Sequence, residues 1–320
     1  MTRSGSKVDA REYPGTWAEF LAWFPDEAAC ARYLERLRWP EGMACAACGE
    51  RRGWRTGDGR FWICAGCARK TSVTAGTIFD KTRTPLTAWF AAAWFVTSQK
   101  HGLSALGLQR ALGLGSYRTA WMMLHRLRVA MVRPGRERLV GCVEVDETYV
   151  GGEEEGVRGR QTQEKSIVAI AVEVKQPKGF GRVRLARVPD VSALSLIPFV
   201  EASVEPGASV LTDGWSGYSA LHVHGYEHTK TILSASGDPA HVAMPAVHRV
   251  ASLLKRWLLG THQGSLSREH LQAYLNEFAF RFNRRSSRRR GLLFYRLLEQ
   301  AAIAPPTTYK QTIRHVGRGR

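Results

Sequence analysis

Apolar residues recur at helical spacing from the start of the chain. Trp17, Phe20, Leu21 and Phe24 fall on one face, and Ala28 to Leu37 repeats the pattern after a break at Pro25. Asp26 stands where the second helix needs a cap. Residues 43–75 lose that period. Thr56-Gly57-Asp58-Gly59 reads as a hairpin turn and Arg60 to Ile63 as the returning strand. From Pro85 the helical period returns in three runs. Pro85 to Lys100 is rich in Ala and Trp, Ser104 to Leu112 stops near Gly113, and a third run after Ser116 carries Trp121, Leu124, Leu127 and Met131. Three helices joined by glycine-containing turns fit a helix-turn-helix.

At residue 139 the texture changes again. Leu139 to Val150 and Ser166 to Val174 are β-branched and apolar, Arg182 to Val188 alternates, and Ser209 to Thr212 is a short apolar strand. A helical stretch, Ser192 to Ser203, lies between the last two. Strands followed by helix and strand predict an α/β domain with a mixed sheet. Helices follow over Ala246 to Leu259 and Ser267 to Asn283, and the tail from Pro305 is basic and loose.

Composition adds two constraints. At 320 residues and 44% hydrophobic, the chain holds roughly two globular domains. Its longest uncharged apolar run, Ala88 to Val96, is nine residues, well short of the about twenty that cross a membrane. The polar start, Met1 to Ala10, has no apolar signal segment, so a reducing cytosol is expected. There the six cysteines act as metal ligands or buried thiols rather than disulfides.

Charge changes the picture most. The excess of 46 Lys and Arg over 28 Asp and Glu gives +18, which suits a polyanion such as nucleic acid. From Arg249 onward stand 15 basic and three acidic residues, a surplus of 12. Between Gly141 and Glu155 the sign reverses, with Glu144, Asp146, Glu147, Glu153, Glu154 and Glu155 and no basic residue. An acidic knot in a basic chain suggests a cation site beside a polyanion track.

Two motifs carry chemistry. Cys45 and Cys48, then Cys64 and Cys67 after fifteen intervening residues, form C-x2-C-x15-C-x2-C. Two tight turns joined by a hairpin can offer four thiolates to a structural zinc ion, a zinc ribbon. Arg51, Arg52, Arg55, Arg69 and Lys70 surround it and suggest contact with DNA, or else with protein. Cys30 and Cys142 stand apart and read as buried small hydrophobes. The second motif is a pair of strand-end acids. Asp146 interrupts a β-branched strand, and Asp213 ends Val210 to Thr212. Carboxylates at strand ends can converge on the two divalent cations that phosphoryl transfer uses.

Four stretches together resemble the ISXO2-like family of bacterial insertion-sequence transposases. They are Val143 to Gly152, Thr212 to Tyr218, Leu254 to His262, and Tyr274 to Arg285, with the cysteine motif ahead of them. The resemblance spans about residues 20–300. It implies a multidomain α/β chain: a ribonuclease-H-like mixed-sheet catalytic domain preceded by a zinc ribbon and a helix-turn-helix-like DNA-binding segment. It further implies DDE chemistry with Mg2+ or Mn2+, and recognition of terminal inverted repeats by the N-terminal region. Expected boundaries are 1–42 helical, 43–80 ribbon, 81–136 helix-turn-helix-like, 137–300 catalytic and 301–320 basic tail. Asp146 and Asp213 match the first and second catalytic acids.

The third position departs from the family pattern. Thirty-five residues after Asp213 stands His248, with Lys255 seven further on, and no Asp, Glu or Asn occurs from Pro239 to Arg268. His248 either ligates a metal, which suits manganese better than magnesium, or moves protons, or is structural with Glu277 or water completing the site. Lys255 and Arg256, with Arg281, Arg284, Arg285 and Arg288, are candidates for DNA backbone contact. Trp215 and Tyr218 read as core rather than as a platform for a base, and the irregular spacing of His222, His224, His228 and His241 argues against a second metal. The expected partners are transposon-end and target DNA and further copies of the chain assembled on them, with no membrane, in a cytoplasmic, nucleoid-associated protein. The rivals are a ribonuclease-H-like nuclease or resolvase that does not join strands, and a non-catalytic DNA-binding regulator.

Overall fold

The computed structural model describes residues 12–57, 59–151, 165–175, 177, 179–231, 243–263 and 267–314. Asp58, Glu153, Glu154, Glu155, His241 and the segment Met1 to Ala10 lie outside the described residues, as does the end of the tail. Two compact units form, one from residues 1–130 with 287–314 and the other chiefly from 131–286.

The first unit holds helices α1 (Trp17–Trp23), α2 (Glu27–Arg38), α3 (Leu86–Ser98), α4 (Ala105–Leu112) and α5 (Tyr117–Ala130), and a small sheet. That sheet is an antiparallel meander of β1 (Gly53–Arg55), β2 (Phe61–Cys64) and β3 (Lys70–Ser72). Local signals set the helix ends. The Asp26 carboxylate accepts from the Ala29 N–H at 2.7 Å, and Ser104 Oγ accepts from Gly107 N–H at 3.0 Å. Gly113 ends α4 with φ +61°, a conformation that suits glycine. Helix α3 buries nine of its thirteen residues, as expected of a helix apolar all round.

The core of this unit is aromatic. Phe294 meets Phe20, Phe24 and Trp94 with ring centroids 5.6–5.7 Å apart, and Phe24 meets Phe90 at 4.9 Å. Phe294 belongs to α9 (Arg290–Ala301), which with α10 (Tyr309–Arg314) belongs to this unit rather than to the second. The sequence placed the boundary of the second domain at 300, whereas the structure divides the units near Ser286. An aromatic face finds its partners across the chain, a preference that linear texture does not reveal.

The second unit is a three-layer α/β arrangement around a five-stranded mixed sheet, ordered β6-β5-β4-β7-β8. The strands are β4 (Cys142–Val150), β5 (Ser166–Val174), β6 (Phe180–Val188), β7 (Ser209–Thr212) and β8 (Glu227–Lys230). The first three strands pair antiparallel, while β7 runs parallel to β4 and β8 parallel to β7. Alternation assigns the two faces. Val143, Val145, Ala169 and Val210 pack with Leu196 and Val200 of α6 (Ala193–Ser203) on one side. Val168, Ile170 and Val172 pack with α7 (Pro245–His262) and α8 (Leu271–Phe282) on the other.

The edge strand β6 is closed by side chains. Asn283 accepts from the Val183 N–H at 2.7 Å and donates to its carbonyl at 3.2 Å. Gln272 accepts from the Arg187 N–H at 2.9 Å. Such bonds occupy backbone groups that would otherwise be open to another strand. Strand β8, Glu-His-Thr-Lys, carries no apolar alternation and was not expected; it exists because β7 offers it a parallel edge. No helix among the described residues is long and apolar enough to cross a membrane.

Candidate metal centres

The four-cysteine centre is built by two similar turns. In each, the N–H of the first cysteine donates to a carbonyl five residues on, Cys45 to Glu50 at 2.9 Å and Cys64 to Arg69 at 3.1 Å. Both turns need a left-handed residue four positions after the first cysteine, Gly49 at φ +75° and Ala68 at φ +55°. Ala68 pays a steric penalty of about 1 kcal/mol for its Cβ. Pairing of β1 with β2 sets Gly53 opposite Cys64, which brings the turns together.

All four thiol sulfurs lie within 4.8 Å of one another, with Cys45 to Cys67 at 3.6 Å and Cys48 to Cys64 at 3.5 Å. A tetrahedron with metal–sulfur bonds of about 2.3 Å has edges of about 3.8 Å, so the donor set fits zinc. Backbone N–H groups of Ala47 and then Cys48 point at Cys45 and lower its pKa to about 6, favouring the thiolate. Four protein ligands close the site, which makes it structural. The centre is tied to helix α2. Glu35 accepts from the Trp62 indole N–H at 3.1 Å and from Arg55, and the Arg38 guanidinium donates to the Val73 and Ala75 carbonyls at 2.6 Å. Among the described residues these four cysteines are the one group able to hold a metal with three or more His, Cys, Asp or Glu ligands. Cys30 is buried and Cys142 half-buried.

The carboxylate centre lies on the second unit's sheet. Glu144 pairs with Leu211 in the parallel β4–β7 register. Continuing that register by two residues sets Asp146 beside Asp213, on strands about 4.8 Å apart. Asp213 follows the last residue of β7, and its Oδ1 accepts from the Trp215 N–H at 3.0 Å, a turn that ends the strand. Alternation directs Asp146, like Glu144, toward helix α7. There His248 Nε2 approaches Asp146 Oδ2 at 4.0 Å, with the histidine side chain 31% exposed. His248 of the first turn of α7 thus stands beside Asp146 of β4, and Asp213 follows the end of the neighbouring strand β7.

Two residues that sequence reasoning left without a role support this cluster. Glu144 is buried, and its Oε2 accepts from the Val247 N–H at 2.8 Å. Met244, at the helix start, offers no side-chain cap, and the first turn of α7 holds no acid. The sheet thus supplies the acceptor that the helix lacks, one residue before His248. Burial raises the Glu144 pKa, while the Val247 and Ala246 N–H groups oppose the rise. The second is Tyr218, which is fully buried and donates from its hydroxyl to Glu147 Oε2 at 3.2 Å. Burial, then the charges of Glu147, Asp146 and Asp213, hold its phenol well above the usual range. Only the alternation of β4 hinted at Glu144, and nothing local hinted at Tyr218 beyond its core position.

The remaining candidates fall in several places. Glu277 is completely buried on α8. Lys255 keeps an exposed surface on α7, yet partial desolvation and then the Lys165 ammonium lower its pKa. Arg256 and Arg288 are exposed, and Arg281 is half-buried. Arg285 donates to the Phe180 and Gly181 carbonyls at 2.5 and 3.1 Å and lies over the Phe282 ring. Arg284 donates to the Phe280 carbonyl at 3.1 Å and stacks on that ring. These two guanidinium groups bond the backbone of their own unit. Trp215 is half-buried and donates to the Val191 carbonyl at 2.8 Å. His224 bonds Glu201, His228 bonds Thr212, and His222 bonds the Ser219 carbonyl, three separate attachments.

Comparison with known proteins agrees with this division. Residues 138–283 match the ISXO2-like transposase domain, and residues 25–70 match the transposase zinc-ribbon domain. The chain is 26% identical over 278 residues to an uncharacterized protein in transposable element ISH50 of Halobacterium salinarum, covering 81% of this chain and 91% of that one. It is 28% identical over 96 residues to an uncharacterized transposase-like protein of Haemophilus influenzae, covering 30% of this chain and 76% of that one.

Proposed function

We propose that this chain, matching the ISXO2-like transposase domain over residues 138–283 and the transposase zinc ribbon over 25–70, binds the terminal inverted repeats of an insertion sequence, cleaves the DNA and joins the freed 3′ end to a target. What supports the reading is the 4.0 Å approach of His248 to Asp146, together with the β4–β7 register, which continued by two residues sets Asp213 next to Asp146. The arrangement of three antiparallel strands followed by parallel ones, with helices on both faces, is the reason we read the unit as ribonuclease-H-like.

The carboxylate oxygens of Asp146 and Asp213, with the His248 imidazole, would offer donors to divalent cations of the Mg2+ or Mn2+ kind once the three side chains close around them. When bound, such cations lower the pKa of a nucleophile and neutralise charge on the leaving oxygen. Asp146 and Asp213 would hold them. Glu144 holds the start of α7, so that His248 keeps its place at the open side. Lys255, on the same helix face about two turns on, meets a phosphate of the bound strand. In cleavage, a water oxygen bonds to phosphorus as the bond to the 3′ oxygen breaks, leaving a 3′-hydroxyl. In joining, that hydroxyl loses its proton and bonds to a target phosphorus, and the target's own 3′ oxygen leaves. Neither step needs a covalent link to the protein.

The first unit is the DNA-binding half in this reading. Zinc held by Cys45, Cys48, Cys64 and Cys67 fixes the ribbon. Helices α4 and α5, joined across the left-handed Gly113, serve as a helix-turn-helix with Tyr117 and Arg118 exposed on the first turn of α5. Two transposon ends must be held at once, so the active form is a homo-oligomer assembled on DNA and located with the nucleoid. Product analysis on a labelled end sequence with Mg2+ or Mn2+ tests the reading. Joined strands that disappear in Asp146→Asn and in Asp213→Asn support it. Hydrolysis without joining points to a nuclease, and cleavage or joining unchanged in both variants contradicts it.

A further inference from the structure

Outside the carboxylate centre, the first unit has a groove of ≈ 970 Å³ between the ribbon and helix α2. The hairpin residues Arg60 and Phe61 line one wall, Arg32 lines the other, and Lys81 and Arg83 form the rim. The groove's acids are already engaged. Glu27 accepts from the Thr87 N–H at 2.9 Å, Glu35 from Trp62 and Arg55, and Asp80 from the Gly76 N–H at 3.2 Å. Among the described residues, Arg32, Lys81 and Arg83 are exposed and pair with no carboxylate. Five cations, Arg32, Arg55, Arg60, Lys81 and Arg83, line the groove against the three carboxylates Glu27, Glu35 and Asp80, a surplus of positive charge that suits an anion.

The rim is built rigidly. Lys81 takes φ +53°, a left-handed conformation that a lysine rarely adopts. Thr82 Oγ1 accepts from the Trp89 indole N–H and from the Thr84 N–H, at 2.9 and 3.1 Å. From the other side, Arg126 donates to the Ile78 carbonyl at 3.1 Å. The backbone is therefore pinned while Lys81 and Arg83 face solvent. Residues Lys81 to Thr84 also border a second hollow of ≈ 250 Å³, which Arg118 lines from the first turn of α5. Arg118 is itself stacked on Tyr309 at 3.5 Å. The two hollows share one basic rim.

We propose that the groove between ribbon and α2, the Lys81–Thr84 rim and the first turn of α5 form one continuous path for a DNA backbone, with Arg32, Lys81 and Arg83 as its phosphate contacts. The proposal rests on the transposase reading and assigns its DNA contact to residues outside the arginine-rich stretch near 285. Phosphates match unpaired cations on a fixed rim, and Phe61, 38% exposed at the mouth, offers a face to a base or sugar. An acidic protein segment would use the same charges but would gain nothing from the continuation to α5.

The test uses the full zinc-loaded chain and a labelled DNA duplex of mixed sequence, with affinity measured across a salt series. One variant combines Arg32→Gln, Lys81→Gln and Arg83→Gln. The control removes equal charge elsewhere, with Lys175→Gln, Arg187→Gln and Lys230→Gln. Zinc content and melting temperature check the fold of each. The path predicts that the slope of log affinity against log salt falls by about 2.7 in the first variant, about 0.9 per phosphate contact, and changes far less in the control. An unchanged slope in the first variant overturns the path and leaves the groove to an acidic protein segment. Equal losses in both variants also overturn it, since net charge alone would then explain them. If the wild-type chain binds no DNA, the transposase reading fails along with the path; in the other two cases that reading survives.

Discussion

The cysteine cluster and the proposed carboxylate centre are built in opposite ways. The cysteine centre draws its four ligands from 23 consecutive residues, Cys45 to Cys67, and one hairpin closes it. The proposed carboxylate centre draws on Asp146 of β4, Asp213 just past the end of β7, and His248 of α7. A local site needs only its turns to form. A dispersed site needs the β4–β7 register, the strand-ending turn at Asp213 and the seating of α7, and an error in any one separates the ligands. The contrast predicts that metal and fold are coupled at the first centre and largely separate at the second, where the sheet core carries the stability.

Removing zinc is the largest perturbation. Structural zinc contributes roughly 10 kcal/mol or more to small ribbon folds, and the described ribbon has only Met43, Cys45 and Cys64 as its buried cluster. Cys64→Ser or a strong chelator is expected to abolish ribbon structure and to weaken DNA affinity. Zinc content by mass spectrometry of the native protein and amide exchange over residues 43–75 provide the check. The sheet of the second unit should keep its exchange protection.

The Asp146→Asn and Asp213→Asn changes should act conversely. Each is expected to lower strand transfer by about a thousandfold, some 4 kcal/mol of barrier, with little change in melting temperature. Thermal scans run beside the joining assay separate the two effects. A large loss of stability in either variant would mean that the acids serve the fold.

Glu144 links the fold to the site. Glu144→Ala removes a buried acceptor from the start of α7 and should cost about 2 kcal/mol in urea unfolding. Glu144→Gln keeps one acceptor and should recover part of that loss. Joining activity should fall further than stability alone explains, because His248 follows Val247 on the freed turn.

Smaller still is the ion pair at the β5–β6 edge. Glu173 accepts from Arg182 Nη2 at 2.6 Å and from the Val140 N–H at 3.2 Å. Burial would raise its pKa, but these bonds, led by Arg182, lower it overall. A carboxyl with a depressed folded pKa stabilises the protein above its unfolded value and loses that contribution as pH falls through the folded one. Glu173→Gln should therefore cost about 1–2 kcal/mol near pH 7 and flatten the decline in stability below about pH 4.5. Unfolding midpoints measured from pH 7 down to pH 3 would show the slope.

How far the chain could be read follows from the same contrast. The cysteine spacing, the cap at Asp26, the Gly113 stop and most strands of the sheet were legible because each depends on neighbours in sequence. Asp146 and Asp213 stood out as acids at apolar strands, yet their proposed meeting depends on β7 pairing with β4 rather than with β6. Strand β8 was invisible because its four polar residues acquire strand structure only from the edge of β7. Helix α9 groups with the first unit through Phe294, an attachment that nothing near Phe294 in the sequence marks. That Arg284 and Arg285, candidates for DNA backbone contact, also donate to backbone carbonyls of their own unit is a long-range feature the linear pattern does not carry.

The central claim is that Asp146 and Asp213 together hold divalent cations beside His248. Anomalous scattering from crystals of the zinc-loaded protein soaked in manganese tests it most directly. The account predicts a manganese peak between the Asp146 and Asp213 carboxylates that is lost in Asp146→Asn, with the zinc peak at the cysteines unchanged. Manganese bound elsewhere, or a peak that survives Asp146→Asn, would contradict it.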